Sequence, residues 1–141
     1  MMQALCRFSQ TYGLLAGRIL IAFIFLQSGY DKVFNFGKTA AQMASKGMPM
    51  PEVLLVLTIV IVLGGGIMIL VGWQARWAAL ALFLFLVPAT LIFHPYWSFP
   101  EAQKLNQFHH FVKNVALMGT MLYIIAMGSG PMSLQRSSGT P

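Results

Sequence analysis

Acidic residues are nearly absent from this chain of 141 residues, in which only Asp31, Glu52 and Glu101 carry a carboxylate side chain. Charged residues of both signs amount to 9%, whereas a soluble domain averages about 25%. So few charges cannot coat the water-facing sides of several helices, which argues against a soluble all-α domain with buried helices. Because 57% of the residues are hydrophobic, the composition favours a membrane protein.

Cysteine is also scarce, and Cys6 stands alone. A single cysteine excludes an internal disulfide and a Cys-x-x-Cys redox motif. The basic residues form no cluster, so the net charge of +6 suits lipid phosphates better than a nucleic acid. The sequence shows no nucleophile with a base, no phosphate-binding glycine loop and no paired carboxylates. We therefore predict no catalytic residues and no metal site.

Long apolar stretches are what the sequence does contain. Three of them, near residues 53–72, 77–93 and 111–128, approach the roughly 20 residues that span a bilayer. A fourth, near 12–34, is interrupted by Arg18 and Gln27. The pattern predicts a single all-α domain over residues 1–141, an integral membrane antiparallel four-helix bundle. The predicted helices cover about 12–34, 52–72, 77–94 and 108–128.

Four spans place both termini on one side of the membrane, together with the turn between the second and third spans. We call this the tail side, and the opposite side the loop side, because the connection over residues 35–51 lies there. All acids and all histidines of the chain fall on the loop side. The span ends there carry a polar cluster that forms the candidate site: Gln27, Asp31, Lys32, His94, His109, His110, Lys113 and Asn114.

The fourth span opens with residues 107–119, QFHHFVKNVALMG. Lys113 lies about one turn inside its apolar part, where a lone charge is costly unless it snorkels or pairs. The first and fourth spans are neighbours in a simple up-and-down bundle. We therefore predict that Lys113 turns toward Asp31, with Asn114 or His110 supplying further hydrogen bonds. The alternative is that Lys113 points to headgroups and Asp31 pairs only with Lys32.

Arg18 is an isolated charge inside the first span. It either snorkels to the nearby interface or faces the bundle interior and holds a polar or anionic group. Because every acid lies on the loop side, we predict no carboxylate side chain within its reach. The orientation of the chain stays open, since the tail side has four basic residues and the loop side five, too small a bias for the positive-inside rule.

Several segments in a fixed order resemble one family. They are residues 29–32 (GYDK), 47–51 (GMPMP), the glycine-rich second span closing at Gly72, 111–114 (FVKN) and 128–134 (GSGPMSL). The chain resembles, from about Arg18 to Gln135, the DoxX-like family of small bacterial inner-membrane proteins. The resemblance implies four transmembrane helices and a multi-pass location in the bacterial cytoplasmic (inner) membrane. It also implies a link to membrane redox complexes, because the family name comes from a small subunit associated with a thiosulfate:quinone oxidoreductase.

One position departs from the family pattern. Relatives often carry a glutamate ten residues before the glycine that matches Gly72, and this chain has Val62 there. If that glutamate paired with the arginine matching Arg18, the pair is lost here. A proton- or cation-handling role that depends on the pair is then not expected.

Two functions fit these observations. The first is an accessory or anchoring subunit of a membrane redox complex, with redox-complex subunits or a second copy of the chain as partners besides the lipid bilayer. Small-residue stripes at Gly13 and Gly17 and at residues 64–66 favour it. The second is a small carrier or channel for an anion, a proton or a lipid-like molecule, which the polar cluster favours because ionisable groups inside a membrane often mark pathways.

Cofactor binding has only weak support in the sequence, and no cofactor is predicted. His94 with His109 or His110 could in principle ligate a haem. A quinone pocket among His94, Tyr96, Trp97 and His110 is a further alternative, although no motif supports it.

Overall fold

The computed structural model describes Cys6 and residues 8–135, and within this part of the chain all regular structure is helical. A π-helical turn, Ser9–Gly13, leads into α1 (Leu14–Phe34). The short helix α2 (Phe36–Ser45) precedes α3 (Pro51–Val71) and α4 (Ala75–Phe93). A 3-10 turn, Tyr96–Ser98, leads into α5 (Glu101–Met127). With its π turn, α1 is long and apolar enough to cross a membrane, as are α3, α4 and α5.

The helix ends follow local chemistry. α2 stops where Gly47 takes a φ of +74° and α3 stops where Gly72 takes a φ of +69°, a left-handed conformation that glycine adopts without steric cost. Pro51 occupies the first turn of α3, where its missing N–H has no helical partner anyway, and Glu52 beside it favours the positive end of the helix dipole. Together these residues separate the amphipathic α2 from the membrane-crossing α3.

Glycines set the close contacts between the spans. A Cβ at Gly66 would lie 3.2 Å from Leu26 of α1, and one at Gly29 would meet Leu63 of α3. On another face of α3, a Cβ at Gly65 would lie 2.8 Å from Leu82 of α4. The glycines of α3 therefore let two other helices approach its backbone closely.

The spans pack in chain order. α1 packs on α3, α3 on α4, and α4 on α5, whereas the described parts of α1 and α5 make no extensive contact with each other. The prediction that the first and fourth spans are neighbours is therefore wrong. The small residues that favour contact lie on the α1–α3 and α3–α4 faces, so the antiparallel bundle stays open between its first and last spans.

The segment after α5 folds back over the tail side. The amides of Leu134 and Gln135 donate to the carbonyls of Val71 and Gly72 over 3.0 and 3.1 Å. The side chain of Gln135 in turn accepts from the amide of Gln74 at 3.0 Å. This segment, residues 128–135, closes the tail-side end of the bundle and is called the tail from here on.

The last span begins earlier than the hydropathy pattern indicates. α5 starts at Glu101, whereas the sequence predicted a helix from about residue 108. Its first turn is stabilised by a 2.8 Å salt bridge from Lys104 to Glu101, the one salt bridge among residues 8–135. The polar start of α5 therefore projects beyond the apolar part of the span on the loop side.

Candidate functional site

A cavity of about 860 Å³ opens into the loop-side half of the bundle. Its walls come from the second half of α1, from α2, from the first half of α3, from the second half of α4 and from the middle of α5. It exists because α1 and α5 do not close on each other, while the tail seals only the opposite end. The volume is within the range of about 300–1,000 Å³ that is usual for small-molecule sites.

Most of the predicted polar cluster lies on this cavity. Seven of its eight members line the walls: Gln27, Asp31, Lys32, His94, His110, Lys113 and Asn114. His109 does not, because it points away from the cavity and lies exposed beside the ring of Phe108. The structure thus brings together groups from α1, from the end of α4 and from α5 that are up to 87 positions apart, from Gln27 to Asn114.

The two lysines of the cavity have no carboxylate partner among the described residues. Lys32 donates to Ser28 Oγ over 2.8 Å, and Lys113 Nζ lies 3.5 Å from His110 Nδ1. Asp31 instead accepts from the side-chain amide of Asn35 at 2.8 Å. The predicted Lys113–Asp31 pair is therefore wrong, because the gap between α1 and α5 separates the two side chains. The alternative pair, Asp31 with Lys32, does not form either.

Asn114 has a different partner from the one predicted. Its Nδ2 donates to Oγ1 of Thr90 over 3.1 Å, and Thr90 is buried in α4. The hydroxyl of Thr90 donates in turn to the carbonyl of Leu86 over 2.6 Å. The bond fixes α5 against α4 and holds one side of the cavity wall in place.

The two histidines of the cavity stack on each other. The rings of His94 and His110 are 5.0 Å apart between centroids and nearly parallel, and His94 Nδ1 lies 2.8 Å from Gln107 Oε1. Because the two rings stack on each other, His94 and His110 do not form a pair of histidines that could hold one haem from opposite sides. Tyr96 and Trp97 lie outside the cavity, against the aromatic rings of α5, so the four residues considered for a quinone pocket do not converge.

The deep part of the cavity is apolar. Val62 and Leu117 are buried there beside Phe25, and Val62 is only 1% exposed. Val62 lies ten residues before Gly72, which corresponds to about 15 Å along a helix. Arg18 packs beside Gly72, so a carboxylate at position 62 would not reach it. The pair considered from the family pattern is not compatible with this geometry.

Sequence reasoning missed the contribution of α2. Thr39, Gln42 and Met43 of this helix line the cavity, although residues 35–51 were treated above only as a connection between two spans. Met43 is buried together with Ala40 on one face of α2. That one-sided apolar pattern is the signal that could have predicted a helix lying over the bundle.

Arg18 forms a separate site on the tail side. Its side chain is 6% exposed, and Nη2 donates to the carbonyls of Met132 and Pro131 at 2.7 and 3.4 Å. Nε and Nη1 are buried without a partner among the described residues. Arg18 thus faces the protein interior, and its acceptors are backbone carbonyls of the tail, with no Asp or Glu side chain in the salt-bridge range.

Four apolar spans, an amphipathic helix over a one-sided cavity and a short returning tail define a small polytopic membrane protein. The sequence model of the DoxX family matches residues 13–95, and the chain belongs to this family. It is 31% identical to the inner membrane protein YphA of Escherichia coli, over 87% of this chain and 88% of that protein. It is also 31% identical to the E. coli inner membrane protein YqjF, over 88% and 90% of the two chains.

A more distant relative is a Surfeit locus protein 4 homolog of Schizosaccharomyces pombe, 27% identical over 89% of this chain and 37% of that protein. No solved structure matches the chain. The family, the two inner-membrane relatives and the four membrane-crossing helices establish a multi-pass protein of the inner membrane.

Proposed function

We propose that this protein binds an amphipathic, lipid-like molecule in the loop-side cavity and acts as a small carrier or presenter of that molecule. The observation that carries the proposal is a partly open cavity of about 860 Å³ in the loop-side half of the bundle, between helices α1 and α5, which make no extensive contact with each other. A chain-like molecule can enter such a cavity sideways, with its apolar part never crossing water.

The layout of the walls supports the same function. Charged side chains such as Lys32 and Lys113 line the part of the cavity nearer the loop side, and apolar ones such as Phe25 and Leu117 lie one to two turns deeper on the same two helices. A molecule with one polar end and one hydrocarbon end matches both regions at once. Binding sites of this kind are mostly apolar, with a few polar groups that fix orientation.

A photoactivatable long-chain alcohol tests the proposal on protein purified in nanodiscs. We expect saturable labelling of cavity-lining peptides, and we expect Ala89→Phe or Ala81→Phe to reduce it, because both alanines line the cavity. Leu91→Phe is the matched control on α4, since Leu91 is exposed and lies outside the cavity. Non-saturable labelling that all variants share, in protein whose thermal unfolding is unchanged, would reject the proposal.

An accessory or anchoring subunit of a membrane redox complex is the second candidate, and the outer face of α1 favours it. Gly13 and Gly17 are both exposed, and a Cβ at Gly17 would meet nothing within 4 Å. The stripe is not used between the described helices, so it is free for close approach by another transmembrane helix. Purification from native membranes should then retain a stoichiometric partner, or a second copy, that Gly17→Leu removes.

The same purification addresses the cofactor alternatives. An optical spectrum of the complex with a Soret band would support haem, and extraction of the preparation would reveal a quinone. A lone colourless protein, with no partner in the wild type, would contradict the accessory role.

A further inference from the structure

We infer that the ligand of the loop-side cavity carries a compact anionic headgroup, a carboxylate or a phosphate, which binds between Lys32 and Lys113. This inference rests on the proposed binding function and names the chemical class of the ligand. It follows from the charges on the cavity wall, from the donors beside them and from the position of the apolar floor.

The two ammonium groups face one cavity from two helices that do not pack on each other. Lys32 belongs to α1 and Lys113 to α5, and both line the same space. A lysine inside a membrane segment is costly unless it is paired or reaches water. Neither has a carboxylate within 4.0 Å among the described residues. An anion between them would be attracted by both ammonium groups across the gap between α1 and α5.

Both lysines keep hydrogen-bond donors available. An ammonium group has three donors, whereas Lys32 contacts, among the described residues, only Ser28, at 2.8 and 3.3 Å. Within the same part of the chain, Lys113 has a single long contact, 3.5 Å to His110. Charge-assisted bonds to carboxylate or phosphate oxygens are about twice as strong as neutral ones, so an anionic headgroup can gain more from these two residues than an alcohol can.

One acidic residue also lines the cavity and contributes to the net charge of its wall. Asp31 lines the wall, but its carboxylate is exposed and accepts from Asn35 at 2.8 Å. The bond from the neutral amide of Asn35 leaves the charge of Asp31 in place, and two lysines with one acid still give the described lining of the cavity a net positive charge. A cationic headgroup would add repulsion from Lys32 and Lys113. The charge pattern therefore selects an anion.

The depths of the two lysines and of the apolar floor determine how the bound ligand is oriented. Lys113 lies one helical turn closer to the loop side than Leu117 of the same helix, and Lys32 lies two turns closer than Phe25 of α1. Leu117 and Phe25 are buried apolar residues of the floor. A headgroup at the lysines thus directs its hydrocarbon chain toward the floor and toward the middle of the membrane, as lipids of the loop-side leaflet are oriented.

Competition against the photoactivatable alcohol tests the inference without any mutation. The competitors are hexadecanoate, hexadecyl phosphate, hexadecanol and hexadecylamine, with an anionic two-chain phospholipid as a further arm. We expect the anionic compounds to compete at least tenfold better than the alcohol, and the amine to compete worst. Preference for a single-chain anion over the two-chain phospholipid would identify a free amphiphile as the source, and the reverse order a membrane lipid.

Charge-neutral variants then assign the anion to its residues. Lys32→Gln and Lys113→Gln should each bring the ratio of anion affinity to alcohol affinity most of the way to one, with Lys113→Arg retaining the wild-type ratio. Lys104→Gln is the matched control, since Lys104 pairs with Glu101 outside the cavity. Equal competition by alcohol and anion, or a preference for the amine, would overturn the inference and leave the proposed function intact. Loss of saturable alcohol labelling itself would overturn both.

Discussion

The side-chain amide of Asn114 and the hydroxyl of Thr90 are joined by a 3.1 Å hydrogen bond that connects α5 to α4. Thr90 is 1% exposed, so neither water nor lipid can replace the bond. Polar contacts of this type between membrane helices average about 0.6 kcal/mol, with a maximum near 1.7.

We therefore expect Thr90→Val and Asn114→Leu to be coupled in a double-mutant cycle. Each single change removes one partner of the bond and leaves the other polar group without it, and the second change removes that group as well. The coupling energy should be about 0.6 kcal/mol or more in thermal or denaturant unfolding in detergent. Thr120→Val is the control, because Thr120 bonds only to Ala116 of its own helix. Strict additivity of Thr90→Val with Asn114→Leu would contradict the bond.

Adjacent glycines of α3 should respond in opposite ways to alanine. A Cβ at Gly65 would lie 2.8 Å from Leu82, which is fully buried and has no space to retreat. Overpacking of this kind typically costs about 1–3 kcal/mol. A Cβ at Gly64 meets nothing within 4 Å, and alanine there gains up to about 1 kcal/mol of helix propensity. Unfolding curves of the two variants give the comparison, and equal stabilities would show that α3 and α4 are not in close contact at Gly65.

Replacing Arg18 should loosen the tail, residues 128–135, more than it destabilises the packing of the membrane-crossing helices. Arg18→Met removes the hydrogen bonds to Met132 and Pro131, and bonds to a charged group contribute about 1.5–3 kcal/mol. Hydrogen exchange at the amides of Leu134 and Gln135 should then become about tenfold faster or more. Arg76→Met removes the same charge, but Arg76 is exposed and makes only a 3.4 Å contact with Ala126. Similar exchange rates in the two variants would refute the anchoring role of Arg18.

A glutamate introduced at Val62 should act independently of Arg18. Val62→Glu places a carboxyl group among buried apolar residues, and we expect a loss of roughly 2.5–3.5 kcal/mol, the cost of an acid near the centre of a span. Val62→Gln separates the effect of charge from that of size. Because residue 62 lies about 15 Å along the helix from the level of Arg18, losses from Val62→Glu and Arg18→Met should add within about 0.5 kcal/mol. Strong coupling would place the two side chains at one depth and reject the register of α1 on α3.

The positions of the four spans, and the side of the membrane that carries the polar residues, could be predicted from the sequence. Hydropathy gives the spans, and an even number of spans places both termini on one side, so neither step needs knowledge of how the helices pack. Which helices pack on each other could not be predicted, because it depends on which glycine contacts which side chain, as Gly29 contacts Leu63 and Gly66 contacts Leu26. The partner of Arg18 was hidden for a different reason. Every residue has a backbone carbonyl, so nothing in the sequence marks Met132 as an acceptor. The Lys113–Asp31 pair followed correctly from the depths of both residues and failed on the neighbour relation between α1 and α5.

The restriction of the cavity to one half of the bundle makes membrane topology part of ligand choice. A site that opens only toward the loop side exchanges molecules with a single leaflet, and the two leaflets of a cell membrane differ in composition and surface charge. Lys32 and Lys113 therefore meet whichever lipid population the direction of insertion presents to them. The basic residues are divided four to five between the two sides. A single Lys or Arg gained or lost in a connecting turn therefore has a large effect on the direction in which the chain inserts into the membrane. Such a change would switch the pool of molecules the cavity encounters while leaving every residue of the cavity in place.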